Sequence, residues 1–204
     1  MNMTRTTLGF SDLKIDVPSH ICLFYSNDAE LRERLGFLAK TLDDPSEVAV
    51  LFGKQERLEE ILGFIAVDHG RDTAADLAAG RIVLVNGAPE ADALLGGIAT
   101  AFEAAIERGT KLIRFLGFIG WGAMDGPAQE DLMTFEAKVN EAVKSYPAIV
   151  MCTYNTEKLP GSVLLFAGIE TPVHDPRHHA LREPPLRPVR RLHRAAEAAH
   201  HGRA

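Results

Sequence analysis

Only two cysteines, one tryptophan and three tyrosines occur in 204 residues, and each scarcity excludes something. Two cysteines cannot build a C-x-x-C zinc site with its second pair. Cys22 and Cys152 both stand inside apolar runs, so the expectation is two buried free thiols in a reducing compartment rather than a disulfide. No apolar run approaches the length that spans a bilayer, and the opening MNMTRTTLGFSDLK has no apolar export region. A cytoplasmic protein without membrane contact is therefore expected. The formal net charge of −6 and the lack of a recognisable helix-turn-helix argue against direct nucleic-acid binding. A nucleophile-elbow pattern is missing around Ser26, Ser162 and the early histidines, so no enzyme triad is assigned. Internal repeats are absent as well.

What is present is ordinary globular material, 46% apolar and 25% charged, enough for a core. Apolar runs of strand length alternate with segments of helical period. ICLFY precedes a helix over 28–42 that carries Leu31, Leu35, Leu38 and Leu42. EVAVLFG (47–53) precedes a helix with Leu58, Ile61, Leu62 and Ile65, then a short one over 73–79. RIVLVN (81–86) precedes a helix over 91–108 with Leu94, Leu95, Ile98, Phe102 and Ile106. KLIRFLG (111–117) precedes a helix over 128–145, and AIVMCTY (148–154) is the fifth strand. Near-continuous apolar strands between amphipathic helices require a parallel sheet covered on both faces, a doubly wound three-layer α/β domain. Residues 1–17 read as an N-terminal arm and 18–175 as the domain, with a last helix over 160–169. From 176 to 204 the chain is a Pro/Arg/His-rich tail. Within it, 181–204 holds six Arg against two Glu, leaving about +4 there and about −10 elsewhere.

The junction SHICLFYSND (19–28) joins the first strand to the first helix, where α/β proteins often bind anions. A phosphate cradle needs glycines that let backbone N–H groups wrap the phosphates, plus a lysine and a Ser/Thr. Here the turn is Ser26-Asn27-Asp28-Ala29-Glu30, without glycine and with two carboxylates in place. The pattern G-x-x-x-x-G-K-[ST] occurs nowhere, and Gly53-Lys54 is only a fragment of it.

Several short stretches in order carry a family likeness: His20-Ile21-Cys22-Leu23-Phe24-Tyr25, EVAVLFG, the loop from Gly117 to Trp121, Phe135-Glu136-Ala137-Lys138-Val139-Asn140, and Cys152-Thr153-Tyr154-Asn155. Over roughly residues 18–175 the chain resembles the MEDS family, the methanogen/methylotroph sensory domains similar to the input domain of the dichloromethane-responsive repressor. The resemblance implies a degenerate RecA/KaiC-like fold, P-loop-like but without a functional phosphate loop, used for sensing and regulation. One position departs from the pattern. After the fourth strand the family commonly shows an acidic residue, where this chain has Phe118, so any role of that carboxylate lapses and the pocket should be more apolar.

The candidate ligand-binding residues are Tyr25, Asn27, Trp121 and Tyr154 at the carboxyl edge of the sheet, with Glu136, Asn140 and His20. Trp121 sits in the glycine-rich GFIGWGAMDG, either as a packing anchor or as a lid. His20 begins its strand, about 16 Å from Tyr25 at about 3.3 Å per residue, and is read first as capping backbone at the rear edge. Glu136 and Asn140 share an apolar helix face with Leu132, Met133, Val139 and Val143. A carboxylate facing a core must find a partner; Arg114 or a backbone group is the structural choice and a ligand the functional one. If the strand order is RecA-like, the fifth strand lies beside the first and brings Cys22 toward Cys152, a redox-candidate pair able to sense oxidant or bind a soft metal. Buried thiols are usually inert, so no metal and no cofactor are assigned; the tail histidines lack fixed geometry.

The expected function is a non-catalytic sensory or regulatory domain that binds a small, largely apolar organic molecule and signals to a partner protein. The alternatives are a protein-interaction module docking a kinase, an anti-sigma system or a second copy of itself without a ligand, and a residual nucleotide-binding ATPase.

Overall fold

The computed structural model describes residues 4–87, 91–118, 129–159 and 161, all within the unit Met1–His174. Trp121, nearly all of the expected helix over 160–169, and the basic tail lie outside the described residues.

The apolar runs form the strands their composition demands. After a hairpin of β1 (Thr4–Thr7) and β2 (Lys14–Val17) come β3 (Ser19–Tyr25), α1 (Asp28–Arg34), α2 (Gly36–Thr41), β4 (Glu47–Gly53), α3 (Gln55–His69), α4 (Thr73–Ala78), β5 (Ile82–Asn86), α5 (Ala91–Glu107), β6 (Leu112–Phe118), α6 (Gln129–Ala142) and β7 (Ala148–Asn155). Five parallel strands make one sheet in the order β3-β7-β6-β4-β5. The chain runs outward through β4 and β5 and then returns through β6 and β7, so its helices divide between the two faces. Leu31, Leu35, Phe37, Leu38, Leu58, Ile61 and Ile65 of α1 to α3 pack on one face. Leu94 and Phe102 of α5, with Leu132, Phe135 and Val139 of α6, pack on the other. This is the doubly wound, three-layer α/β architecture expected from the alternation.

Period two sorts the side chains of each strand. On β3, Ile21, Leu23 and Tyr25 join the first core and Cys22 and Phe24 the second. On β6, Leu112, Leu116 and Phe118 join the first, and Ile113 and Phe115 the second. Arg114 therefore belongs to the first face. It is fully buried and bonds Glu47 Oε2 at 2.9 Å, the Thr7 carbonyl at 2.8 Å and Thr6 Oγ1 at 3.2 Å. These bonds tie the N-terminal hairpin to the sheet, and Leu8 and Ile15 of the hairpin region join the same core.

Two expectations about helices are corrected. The continuous helix over 28–42 is broken at Leu35, whose N–H bonds Arg32 O. The next residue, Gly36, meets the loop after β1: a Cβ at Gly9 would stand 2.3 Å from Gly36 O. This backbone-to-backbone approach leaves no room for a straight continuation and requires glycine at Gly9, whose φ is +90°. The second correction is Ile106, which is 39% exposed while Ala105 is buried. Steps of four residues advance about 40° around an α-helix, so the stripe through Leu94, Ile98 and Phe102 has turned toward solvent by Ile106.

Candidate functional site

The strand-turn-helix junction after β3 is closed on itself. Asn27 caps α1, its side-chain oxygen accepting from Glu30 N–H at 3.0 Å. The Glu30 carboxylate reaches back and accepts from Ser26 N–H at 2.8 Å. A side-chain anion thus occupies the backbone donor that a phosphate would use, a shifted form of the capping box. Tyr25 lies on the first face, beside Asn155 in register. Phe118 packs in that same core with the Arg57 guanidinium 5.4 Å from its ring. Arg57 instead pairs with Asp28 at 2.6 Å and with Glu60.

A second group of polar side chains meets inside the other layer. The i,i+4 spacing of Glu136 and Asn140 turns both toward the sheet from α6. β3 contributes His20, and its neighbour β7 contributes Cys152 and Tyr154. All but Asn140 are buried: His20 4%, Glu136 1%, and Cys152 and Tyr154 0% exposed. His20 Nδ1 stands 2.6 Å from Asn140 Oδ1, and Nε2 stands 3.1 Å from Cys152 Sγ and 3.3 Å from Glu136 Oε2. The Asn140 oxygen only accepts, so the Nδ1 proton points to it and Nε2 turns its lone pair toward the thiol and the carboxylate. Glu136 Oε1 and the Tyr154 hydroxyl make no hydrogen bond of good geometry.

Electrostatics follow from the dry surroundings. Burial raises the Glu136 carboxyl above its usual range, opposed by His20, the Tyr154 hydroxyl and the Cys152 thiol. Burial also pushes the Cys152 thiol well up, reinforced by the Glu136 charge and by Cys22. The Tyr154 phenol is raised by burial and then by Cys152 and Glu136. Protons are held tightly here, and the grouping is matched in chemistry to a cation: His20, Glu136 and Cys152 each offer a ligand atom, all within 4.8 Å of one another.

Beside this cluster, between α5 and α6, lies an apolar cavity of about 420 Å³. Ile98, Phe102, Phe115, Val139, Val143 and Val150 supply its walls, and Gly96 leaves room at one side. Val150 is the register partner of His20, and Val139 and Val143 each follow Glu136 and Asn140 by three positions on the α6 face. Lys138 crosses the mouth to Asp92 on α5 at 2.5 Å.

Of the residues singled out in the sequence, His20, Glu136, Asn140, Cys152 and Tyr154 are brought together. Cys22 lies directly opposite Cys152 in register on the same face. Tyr25 and Asn27 are not part of the cluster: Tyr25 and Tyr154 fall on opposite faces of the sheet. Two partner assignments change. His20 bonds side chains of α6 and β7 rather than capping backbone, because it points into the layer under α6. Arg114 does not meet Glu136, because its strand parity puts it on the other face. The sequence reading missed the cavity walls; small residues at Gly96, Ala99 and Ala142 on facing helices were its one legible trace.

A family model described as the methanogen/methylotroph, DcmR sensory domain matches residues 19–167. The chain belongs to the MEDS family. Among solved structures, this MEDS domain is similar to a KaiC-like protein from the hyperthermophilic archaeon Pyrococcus horikoshii OT3. The TM-score is 0.59 at 13% identity, over 81% of this chain and 77% of that one. At that identity the likeness shows the fold alone, a RecA/KaiC-like α/β domain. No curated protein matches the sequence. Membership assigns the MEDS domain a sensory or regulatory role. Among the described residues, no helix is long and apolar enough to cross a membrane.

Proposed function

We propose that this MEDS domain is a non-catalytic sensor that binds a small, largely apolar organic molecule in the cleft between α5 and α6 and conveys its occupancy to a regulatory partner protein. The observation that carries the reading is the cavity itself. Its volume of about 420 Å³ falls in the range of small-molecule sites, about 300–1,000 Å³, and its walls are almost wholly hydrocarbon. Apolar area removed from water supplies the affinity, at about 25 cal/mol per Å² before the costs of association.

The placement also supports coupling. α6 carries both a cavity wall, Val139 and Val143, and the buried polar pair Glu136 and Asn140. A guest that displaces α6 therefore strains hydrogen bonds to β3 and β7. The ion pair of Lys138 with Asp92 has side chains 46% and 83% exposed, so opening it costs little. Nucleotide chemistry has less support, since Glu30 already occupies the Ser26 N–H donor.

The test is ligand-observed NMR on the full chain with short-chain alcohols, alkanes and aromatic hydrocarbons, against the Gly96→Phe variant. Gly96 lines the cleft and a Cβ there meets nothing within 4 Å, so a phenylalanine adds bulk at the cleft without a backbone clash, and replacing a helical glycine favours the helix. Binding to the native chain that is lost in Gly96→Phe is the expected result. Absence of binding, or binding unchanged by Gly96→Phe, overturns the assignment.

A further inference from the structure

We propose that His20 Nε2, Glu136 Oε2 and Cys152 Sγ together bind one divalent ion of the zinc class, buried between α6 and the β3-β7 pair. This inference is independent of the apolar-cleft reading: it concerns different atoms and stands or falls by a different measurement.

Three features of the cluster carry it. The first is the donor set. Imidazole nitrogen, carboxylate oxygen and thiolate sulfur are the three protein ligand types of zinc, and three protein ligands with one further position for water is a common zinc arrangement. The second is spacing. Zinc bonds of about 2.0 Å to nitrogen, 2.3 Å to sulfur and 2.0–2.2 Å to oxygen give tetrahedral edges of about 3.3–3.5 Å. His20 Nε2 lies 3.1 Å from Cys152 Sγ and 3.3 Å from Glu136 Oε2, and no pair of ligand atoms is more than 4.8 Å apart. The two His20 edges reach zinc geometry with shifts of a few tenths of an ångström, and the Glu136–Cys152 edge, at most 4.8 Å long, closes by at most about 1.3 Å. The third is orientation. Asn140 Oδ1 holds the Nδ1 proton at 2.6 Å, which exposes the Nε2 lone pair to the other two ligands, as the outer partner of a metal-bound histidine does.

A proton can also sit among these atoms, but it leaves the inventory incomplete. With Nδ1–H directed to Asn140, Nε2 and Glu136 Oε2 are two acceptors 3.3 Å apart in a dry layer. Lone pairs facing each other there repel unless a proton or a metal ion lies between them, and of the two only the metal also engages the Cys152 sulfur. Glu136 Oε1 and the Tyr154 hydroxyl, both shielded from solvent, act on each other's protonation but make no hydrogen bond of good geometry. A metal neutralises the carboxylate and thiolate together. A water in its fourth position could in turn reach these two oxygens. The thiol gives up its proton to water as it ligates.

The six histidines beyond residue 173 bind divalent metals loosely on their own, so the measurement must read sulfur. The full chain, reduced and stripped with chelator, is titrated with Co²⁺ and followed by absorption. The expected result is one tight equivalent per chain, with thiolate-to-cobalt charge transfer in the near ultraviolet and intense tetrahedral bands in the visible, displaced by Zn²⁺. Cys152→Ser should abolish the charge-transfer band, and Glu136→Gln should weaken Co²⁺ affinity at least tenfold, with circular dichroism confirming that both variants fold. Cys22→Ser should leave the spectrum intact. Cobalt binding without a thiolate band, or a band that survives Cys152→Ser, overturns the proposal. Should Cys152→Ser fail to fold, the native chain decides by itself: absence of the thiolate band there overturns the site.

Discussion

His20 Nδ1 lies 2.6 Å from Asn140 Oδ1, across 120 positions of sequence. That contact joins β3 to α6 and directs the Nδ1 proton of the neutral ring. Asn140→Ala removes the acceptor and leaves a donor of a buried ring unsatisfied, which costs about 1–3 kcal/mol. The expected outcome is a lower urea midpoint with an unchanged slope. If the metal site exists, Co²⁺ affinity should also fall about 10–100-fold, the usual consequence of losing a histidine's outer partner. Equal midpoints for the native and variant proteins would show that the bond contributes nothing.

Glu47 and Arg114 provide the second test. Arg114 is completely buried while the Glu47 side chain is 14% exposed. Glu47→Ala therefore leaves a guanidinium in a dry core with the Thr7 carbonyl, the Thr6 hydroxyl and the Phe37 ring but no carboxylate among the described residues. Breaking a buried pair this way costs about 3–5 kcal/mol, whereas replacing both members by apolar residues of similar volume is often neutral or stabilising. Glu47→Ala should thus lower stability far more than the double change Glu47→Leu with Arg114→Met. Chemical denaturation of the three proteins checks the order.

Acid stability supplies the third. Ser46 N–H and its hydroxyl both donate to Asp44 Oδ1 at 2.8 Å and hold the carboxyl below its ordinary range. The folded-state pKa lies below the unfolded one. The group therefore contributes stability above the usual carboxyl range, and this is lost as pH falls through the folded value. Asp44→Asn should be less stable than the native protein at neutral pH, with the difference shrinking as pH drops below about 4. Thermal melts across that range read it directly; a constant gap at every pH would contradict the assignment.

The fourth concerns nucleotide. With Glu30 seated on Ser26 N–H, calorimetry with ATP and magnesium should show no heat of binding. Glu30→Ala should not create a site either, because the turn still lacks glycines and a phosphate-directed lysine. A micromolar dissociation constant for the native chain would contradict the self-capped junction.

Strands and helices were legible in the sequence because their period is a local property. EVAVLFG is β4 residue for residue, and Leu58, Ile61 and Ile65 are buried on α3 as their spacing demands. The parallel, doubly wound sheet followed from the alternation of such segments, and the missing phosphate loop from the turn's own residues. The break at Leu35 was not legible, because its cause, the loop at Gly9, comes from outside the helix. Nor could the sequence choose a partner for Glu136. Spacing on α6 says that this carboxylate faces a core, and both Arg114 and His20 sit on strands that reach one. Which of them it meets depends on strand parity and on the order β3-β7-β6. That order places His20 and Cys152 on adjacent strands under α6, and parity puts Arg114 on the far side of the sheet. Parity likewise separates Tyr25 from Tyr154, which sit on neighbouring strands but on opposite faces. Chemical type and local period belong to the chain; the meeting of His20, Glu136 and Cys152 depends on long-range strand pairing, which only the assembled sheet decides.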